Sequence, residues 1–122
     1  MYRTLLVDDD PAFRDWLRRL LERSEEFEVC GEAGTGAECI AFLDRESPDV
    51  VVLDVYMPDR DGLELAQHIR ERCPKIMTIV TSSHSERVYS RLARQEGAAA
   101  FIPKADLSVA ALLEALQGVS AQ

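Results

Sequence analysis

The sequence predicts a single doubly wound α/β domain built on a parallel sheet. Five short apolar runs alternate with five segments of helical period, which is the pattern of a parallel sheet wrapped on both faces. The runs are apolar almost without interruption, as strands covered on both sides are. Two of them end in acids: Leu5-Leu6-Val7 runs into Asp8-Asp9-Asp10, and Val50-Val51-Val52-Leu53 into Asp54.

The expected strands are Thr4–Val7, Val29–Glu32, Val50–Leu53, Ile76–Val80 and Ala99–Ile102. The first helix has Asp10 as N-cap and Pro11 at its first position, where proline's missing N–H costs nothing. Its apolar stripe is Phe13, Trp16, Leu17, Leu20 and Leu21, read as core. A second helix starts at Thr35, with Glu38 three residues on in capping-box spacing, and buries Ile40 and Leu43. Asp61 and Glu64 repeat that spacing before Leu65, Ala66 and Ile69, which marks a third helix. A fourth turns Val88, Tyr89 and Leu92 inward and stops near Gly97. Ser108 caps a fifth carrying Val109, Leu112, Leu113 and Leu116. The result is a (βα)5 chain, with the flavodoxin-like strand order 2-1-3-4-5 as the expected arrangement.

At 122 residues the chain is expected to form one domain, residues 1–122, with no room for a second. Hydrophobic residues make up 47% and charged ones 30%, as in an ordinary globular protein and unlike a disordered one. The net charge of −8 repels nucleic acid and anionic membrane, and the arginines form no basic patch, so this domain is expected to contact neither. The three cysteines, Cys30, Cys39 and Cys73, lack metal-type spacing and read as reduced thiols. The amino terminus opens directly into a strand and no run is long enough to span a bilayer, which gives a cytoplasmic expectation. His68 and His84 lack any partner pattern for catalysis or metal binding and read as surface residues.

In the expected order, strands one, three, four and five deliver their carboxyl ends to one crevice. Asp8 and Asp9 then face Asp54. Like charges so close repel by roughly 3–4 kcal/mol per pair at an effective dielectric near 20. A hard divalent cation relieves that repulsion, and oxygen-only ligands open to water favour Mg2+. Strand four ends at Thr81-Ser82, hydroxyls suited to an anionic oxygen, and Lys104 follows strand five as a point charge suited to a phosphoryl group.

These residues, in Leu5-Leu6-Val7-Asp8-Asp9-Asp10-Pro11, Asp54-Val55-Tyr56-Met57-Pro58-Asp59-Arg60-Asp61-Gly62, Thr81-Ser82 and Phe101-Ile102-Pro103-Lys104, resemble the receiver domain of bacterial two-component response regulators. The resemblance runs the length of the chain. It implies that Asp54 is the phosphoacceptor for a phosphohistidine on a sensor histidine kinase or phosphotransfer protein. It implies Mg2+ on Asp9, Asp54 and the backbone carbonyl of Tyr56, with Asp8 acting through water. Thr81, Ser82 and Lys104 would bind phosphoryl oxygens, and Thr81 with Phe101 would form the switch. The readout would be the face of the fourth helix, fifth strand and fifth helix, with a homodimer on phosphorylation as an option. Such a domain is no enzyme beyond its own aspartyl phosphorylation and dephosphorylation.

Lys104-Ala105-Asp106-Leu107-Ser108 and Val29-Cys30-Gly31-Glu32-Ala33-Gly34 look like receivers of NarL- or LuxR-type transcription regulators. The expected setting is therefore the regulatory half of a DNA-binding protein, with a stand-alone phosphorelay regulator as the alternative. A haloacid-dehalogenase-like phosphatase also uses a strand-end aspartate and magnesium. It wants Thr or Val where Asp8-Asp9-Asp10-Pro11 continues into Ala12, and a cap this chain is short for.

Overall fold

The apolar runs form five strands: β1 (Tyr2–Val7), β2 (Phe27–Ala33), β3 (Val50–Asp54), β4 (Met77–Ser82) and β5 (Ala100–Pro103). Helices α1 (Pro11–Glu22), α2 (Gly36–Arg45) and α3 (Gly62–Arg72) lie between them, and a C-terminal helix spans Val109–Ser120. The computed structural model describes residues 1–83, 91, 95 and 98–120. The expected fourth helix, with Val88, Tyr89, Leu92 and the stop at Gly97, lies outside them, as does His84. All pairings are parallel, in the order β2-β1-β3-β4-β5 that the sequence predicts.

Pleating divides the sheet's side chains between two cores. Leu5, Val7, Val51, Leu53 and Val80 pack with Cys39, Phe42, Leu65, Ala66 and Ile69 of α2 and α3. Leu6, Val50, Val52, Ile79 and Ile102 pack on the other face with Leu17 and Leu21 of α1 and Leu112 and Leu116 of the C-terminal helix. Each such leucine taken from water contributes roughly 2 kcal/mol, so the two faces clamp the sheet from both sides.

The helix starts follow the expected local chemistry. Asp10 accepts from the Ala12 N–H with Pro11 at the first helical position, Thr35 from Glu38, Asp61 from Leu63 and Ser108 from Ala111. Glu38 departs from a closed capping box, since its carboxylate accepts from the Gly34 N–H.

Two apolar stripes depart in part from the expectation. On α2 the buried side chains are Cys39 and Phe42, while Ile40 and Leu43 pack at the margin. The Phe42 ring occupies the space a β-carbon at Gly31 would need, so a glycine on β2 decides which stripe turns inward. On α1, Leu17 and Leu21 are buried, Phe13 and Leu20 are partly buried, and Trp16 is 46% exposed. Trp16 stacks on Phe13 instead, with centroids 5.7 Å apart. His68 is half-buried in the groove between α2 and α3 rather than on the open surface.

Register fixes where the functional groups emerge. Val7 pairs with Leu53, so the chain leaves β1 beside the end of β3. Asp54 pairs with Thr81, and Ser82 with Pro103, immediately before Lys104. The turn after β3 is held by Val55 N–H to the Thr81 carbonyl (2.9 Å) and Gly62 N–H to the Val55 carbonyl (2.8 Å). A β-carbon on Gly62 would overlap the Asp54 carbonyl and the Val55 backbone. Gly62→Ala should therefore destabilise by about 1–3 kcal/mol in urea unfolding, as overpacking against backbone does. Gly118, which nothing crowds within 4 Å, should gain stability or be neutral on the same change.

Candidate functional site

Asp8, Asp9 and Asp54 bring one carboxylate oxygen each within 4.8 Å of the others, at the carboxyl ends of β1 and β3. Asp8 is 2% exposed and Asp54 5%, whereas Asp9 is open to solvent, so the cluster has one wet side. The β1–α1 turn is built to present it. The Asp8 N–H donates to the Ala33 carbonyl (3.0 Å), and Asp8 Oδ1 accepts from the Asp10 N–H (2.9 Å).

Lys104 supplies the opposing charge. Its Nζ lies 2.7 Å from Asp8 Oδ2 and 3.5 Å from Asp54 Oδ2. That ammonium is the ion-pair partner of the fully buried Asp8 Oδ2, which among the described residues has no hydrogen-bond donor besides it. Burial works against the lysine's charge, but contact with Asp8 and the field of Asp54 outweigh it and hold the ammonium above its ordinary pKa. Asp54 goes the other way. Burial, and then the Asp8 charge, push its carboxyl up from 3.8 to about 6, against the pull of Lys104 and the Tyr56 N–H. That N–H reaches Asp54 Oδ1 at 3.4 Å.

One lysine cannot neutralise three carboxylates. The all-oxygen donor set, the buried Asp8 oxygen with no donor besides Lys104 and the open Asp9 side together fit a hard divalent cation that keeps water on its exposed face.

The remaining sequence-predicted residues surround this cluster. Thr81 is buried, and its hydroxyl donates weakly to the Leu53 carbonyl at 3.5 Å. Thr81 shares the sheet face of its register partner Asp54, while alternation sends the buried Ser82 side chain to the other face. Tyr56 is 50% exposed two residues beyond Asp54 and bridges to Asp61. Phe101 is partly buried on β5 against the core under α2 and α3.

Three supports were not legible in the sequence. Arg14, on α1, donates from Nη1 to the Asp8 carbonyl and from Nε to Glu32 Oε1 (3.0 Å), while Arg18 holds the other Glu32 oxygen. Burial raises the Glu32 carboxyl, but Arg18 and then Arg14 bring it below its ordinary pKa. Phe13 places its ring 4.2 Å from Lys104 Nζ. Asp59 accepts from the Gly36 (2.8 Å) and Ala37 (3.0 Å) N–H groups, which hold its carboxyl below the usual range and tie the loop after β3 to the start of α2. The i, i+4 spacing of Arg14 and Arg18 is the one local signal; their acid partner lies on another strand.

Because the folded Asp54 pKa is raised, its contribution to stability is full below about 4 and is lost as pH rises through about 6. In metal-free buffer, Asp54→Asn should match wild type near pH 4 and exceed it above pH 6 by roughly 3 kcal/mol. Urea unfolding from pH 4 to 8 measures this, and a gap independent of pH would contradict the burial argument.

Residues 4–117 match the family model of the response regulator receiver domain. The chain is 35% identical over 121 residues to the DNA-binding transcriptional activator DevR/DosR of Mycobacterium tuberculosis, covering 99% of this chain and 55% of that one. Among solved structures it superposes on the signal receiver domain of NarL from Mycobacterium tuberculosis at 33% identity and a TM-score of 0.83, covering 93% of this chain and 95% of that one. A LuxR-family two-component response regulator from Aurantimonas sp. SI85-9A1 gives 30% identity and a TM-score of 0.87, over 99% and 86%. The chain spans between about a quarter and about half of the length of the curated relatives it matches. Among the described residues, no helix is long and apolar enough to cross a membrane. With the acidic crevice, the strand order and these matches in agreement, this chain belongs to the response regulator receiver domain family.

Proposed function

We propose that the chain is a phosphoacceptor switch in which Asp54 takes a phosphoryl group from a phosphohistidine on a sensor histidine kinase or phosphotransfer protein. The observation that carries this reading is the convergence of Asp8, Asp9 and Asp54 on one water-accessible crevice with Lys104 beside Asp54. An Asp54 oxygen attacks phosphorus in line as the N–P bond of the ring-protonated phosphohistidine breaks, the nitrogen keeping the electron pair, which gives an acyl phosphate and a neutral histidine. With a pKa of about 6, Asp54 is ionised at neutral pH and ready to attack.

Asp8, Asp9, Asp54 and the Tyr56 backbone carbonyl would hold Mg2+, which when bound neutralises charge between the carboxylate and phosphoryl oxygens. Lys104 exchanges its carboxylate contacts for a phosphoryl oxygen. Thr81 leaves its long bond to the Leu53 carbonyl for another, and Phe101 follows Thr81 inward; the Ser82 hydroxyl, turned to the other sheet face, takes no part. The phosphoryl group thereby favours one of two arrangements and shifts the population towards it. The output surface is the fourth helix, β5 and the C-terminal helix, of which the fourth helix lies outside the described residues.

Likeness to the DNA-binding transcriptional activator DevR/DosR, and coverage of about half its length, support a place as the regulatory part of a DNA-binding transcription regulator; a cytoplasmic location and dimerisation on phosphorylation are part of the same proposal. The domain itself contacts no nucleic acid and acts on no substrate but its own aspartate.

Acetyl phosphate with Mg2+ should add one phosphoryl group to the wild type, by intact mass, and none to Asp54→Ala or to protein in excess EDTA. Lys104→Met should slow the transfer about a hundredfold, the usual loss on removing one charge-stabilising donor. Equal labelling of wild type and Asp54→Ala would defeat the assignment. The exposed Tyr56 ring shields the acyl phosphate from water, so Tyr56→Asn should lose phosphate several-fold faster; an unchanged rate removes that role.

A further inference from the structure

We propose that Phe13 is a positioning residue for Lys104, holding the ammonium over the acidic crevice without taking up any of its hydrogen-bond donors. This rests on the phosphoacceptor reading and deepens it. The Lys104 side chain is 17% exposed, and its ammonium lies among Asp8 Oδ2 at 2.7 Å, Asp54 Oδ2 at 3.5 Å and the Phe13 centroid at 4.2 Å. Phe13 is in turn backed by Trp16, stacked at 5.7 Å and one helical turn further on. The half-buried ring sits on the third residue of α1, a helix whose start is fixed by the Asp10 cap and by Arg14 gripping the Asp8 carbonyl. The ring and the carboxylates therefore share one anchor.

The kind of contact matters. A polar residue in Phe13's place would accept one of the three ammonium N–H groups and compete with a phosphoryl oxygen for it. A ring attracts the cation through its quadrupole, with little dependence on where the N–H bonds point. The ammonium can then turn from Asp8 Oδ2 to a phosphoryl oxygen on Asp54 while keeping its aromatic contact. Phe13 also occupies space that water would fill around a charge already paired to buried acids.

The test uses calorimetric titration of the 122-residue chain with Mg2+ alone and then with beryllofluoride in saturating Mg2+. Phe13→Leu should weaken beryllofluoride binding about fivefold, the scale of a partly desolvated cation–ring contact, while leaving Mg2+ affinity within about twofold of wild type. Phe13→Tyr should restore binding. In a Lys104→Met background, Phe13→Leu should have no further effect, because the contact it removes is already gone. Unchanged beryllofluoride affinity in Phe13→Leu overturns the proposal, as does an equal loss in the Lys104→Met background or a parallel fall in Mg2+ affinity. The contact is also read without any ligand, as an upfield ring-current displacement of the Lys104 ε-protons that Phe13→Leu abolishes. A wild type that shows this displacement and binds no beryllofluoride fails at the phosphoacceptor reading, and the inference falls with it. A wild type that binds beryllofluoride without the displacement fails at Phe13 alone.

Discussion

Asp8, Asp9 and Asp54 stand close together with Lys104 as the cation among them, and the elements around the crevice are arranged to hold them there against their repulsion. Carboxylates left without counter-charge push apart and take up water. Here the backbone prevents both. Asp8 is pinned through its N–H, its Oδ1 and its carbonyl, and Asp54 closes a fully buried strand. The folded protein therefore holds carboxylates that are costly to ionise, and the raised Asp54 pKa, due first to burial and then to the Asp8 charge, is the local sign of it. A divalent cation or a transferred phosphoryl group alters a balance that is already close, which is what a switch requires.

The supports around the cluster distribute this tension to separate elements. Arg14 and Glu32 tie the Asp8 turn to α1 and β2, Asp59 ties the loop after β3 to α2, and Lys104 with Phe13 ties the end of β5 to α1. Asp54 thus touches the residue after β5 through Lys104 and lies beside Thr81, its register partner on β4.

Much of this was legible in the sequence because it is written in local signals. Asp10-Pro11, Thr35, Asp61 and Ser108 announce helix starts through residues that bond their own backbone, and each does so in the structure. Asp8, Asp9, Asp54, Thr81 and Lys104 were readable because strand order and strand ends place them together. Failures fell where the choice depends on a distant partner. Cys39–Phe42 and Ile40–Leu43 are apolar pairs of equal spacing on α2, and only Gly31 on β2 selects between them. Trp16 fits the stripe of α1, but the helix buries a narrow seam and leaves the indole at its edge. Phe13 was read as core, and nothing local said that its ring faces a cation. Arg14 and Asp59 likewise bond to partners 18 and 23 residues away.

A crystal structure of the protein with Mg2+ and beryllofluoride would show the site with its metal and a phosphoryl mimic in place. The account predicts the metal among the carboxylates of Asp8, Asp9 and Asp54, beryllium bonded to an Asp54 oxygen, and Lys104 moved from Asp8 to a fluorine. A metal bound elsewhere, or a beryllofluoride-free Asp54 with Lys104 still on Asp8, would contradict it.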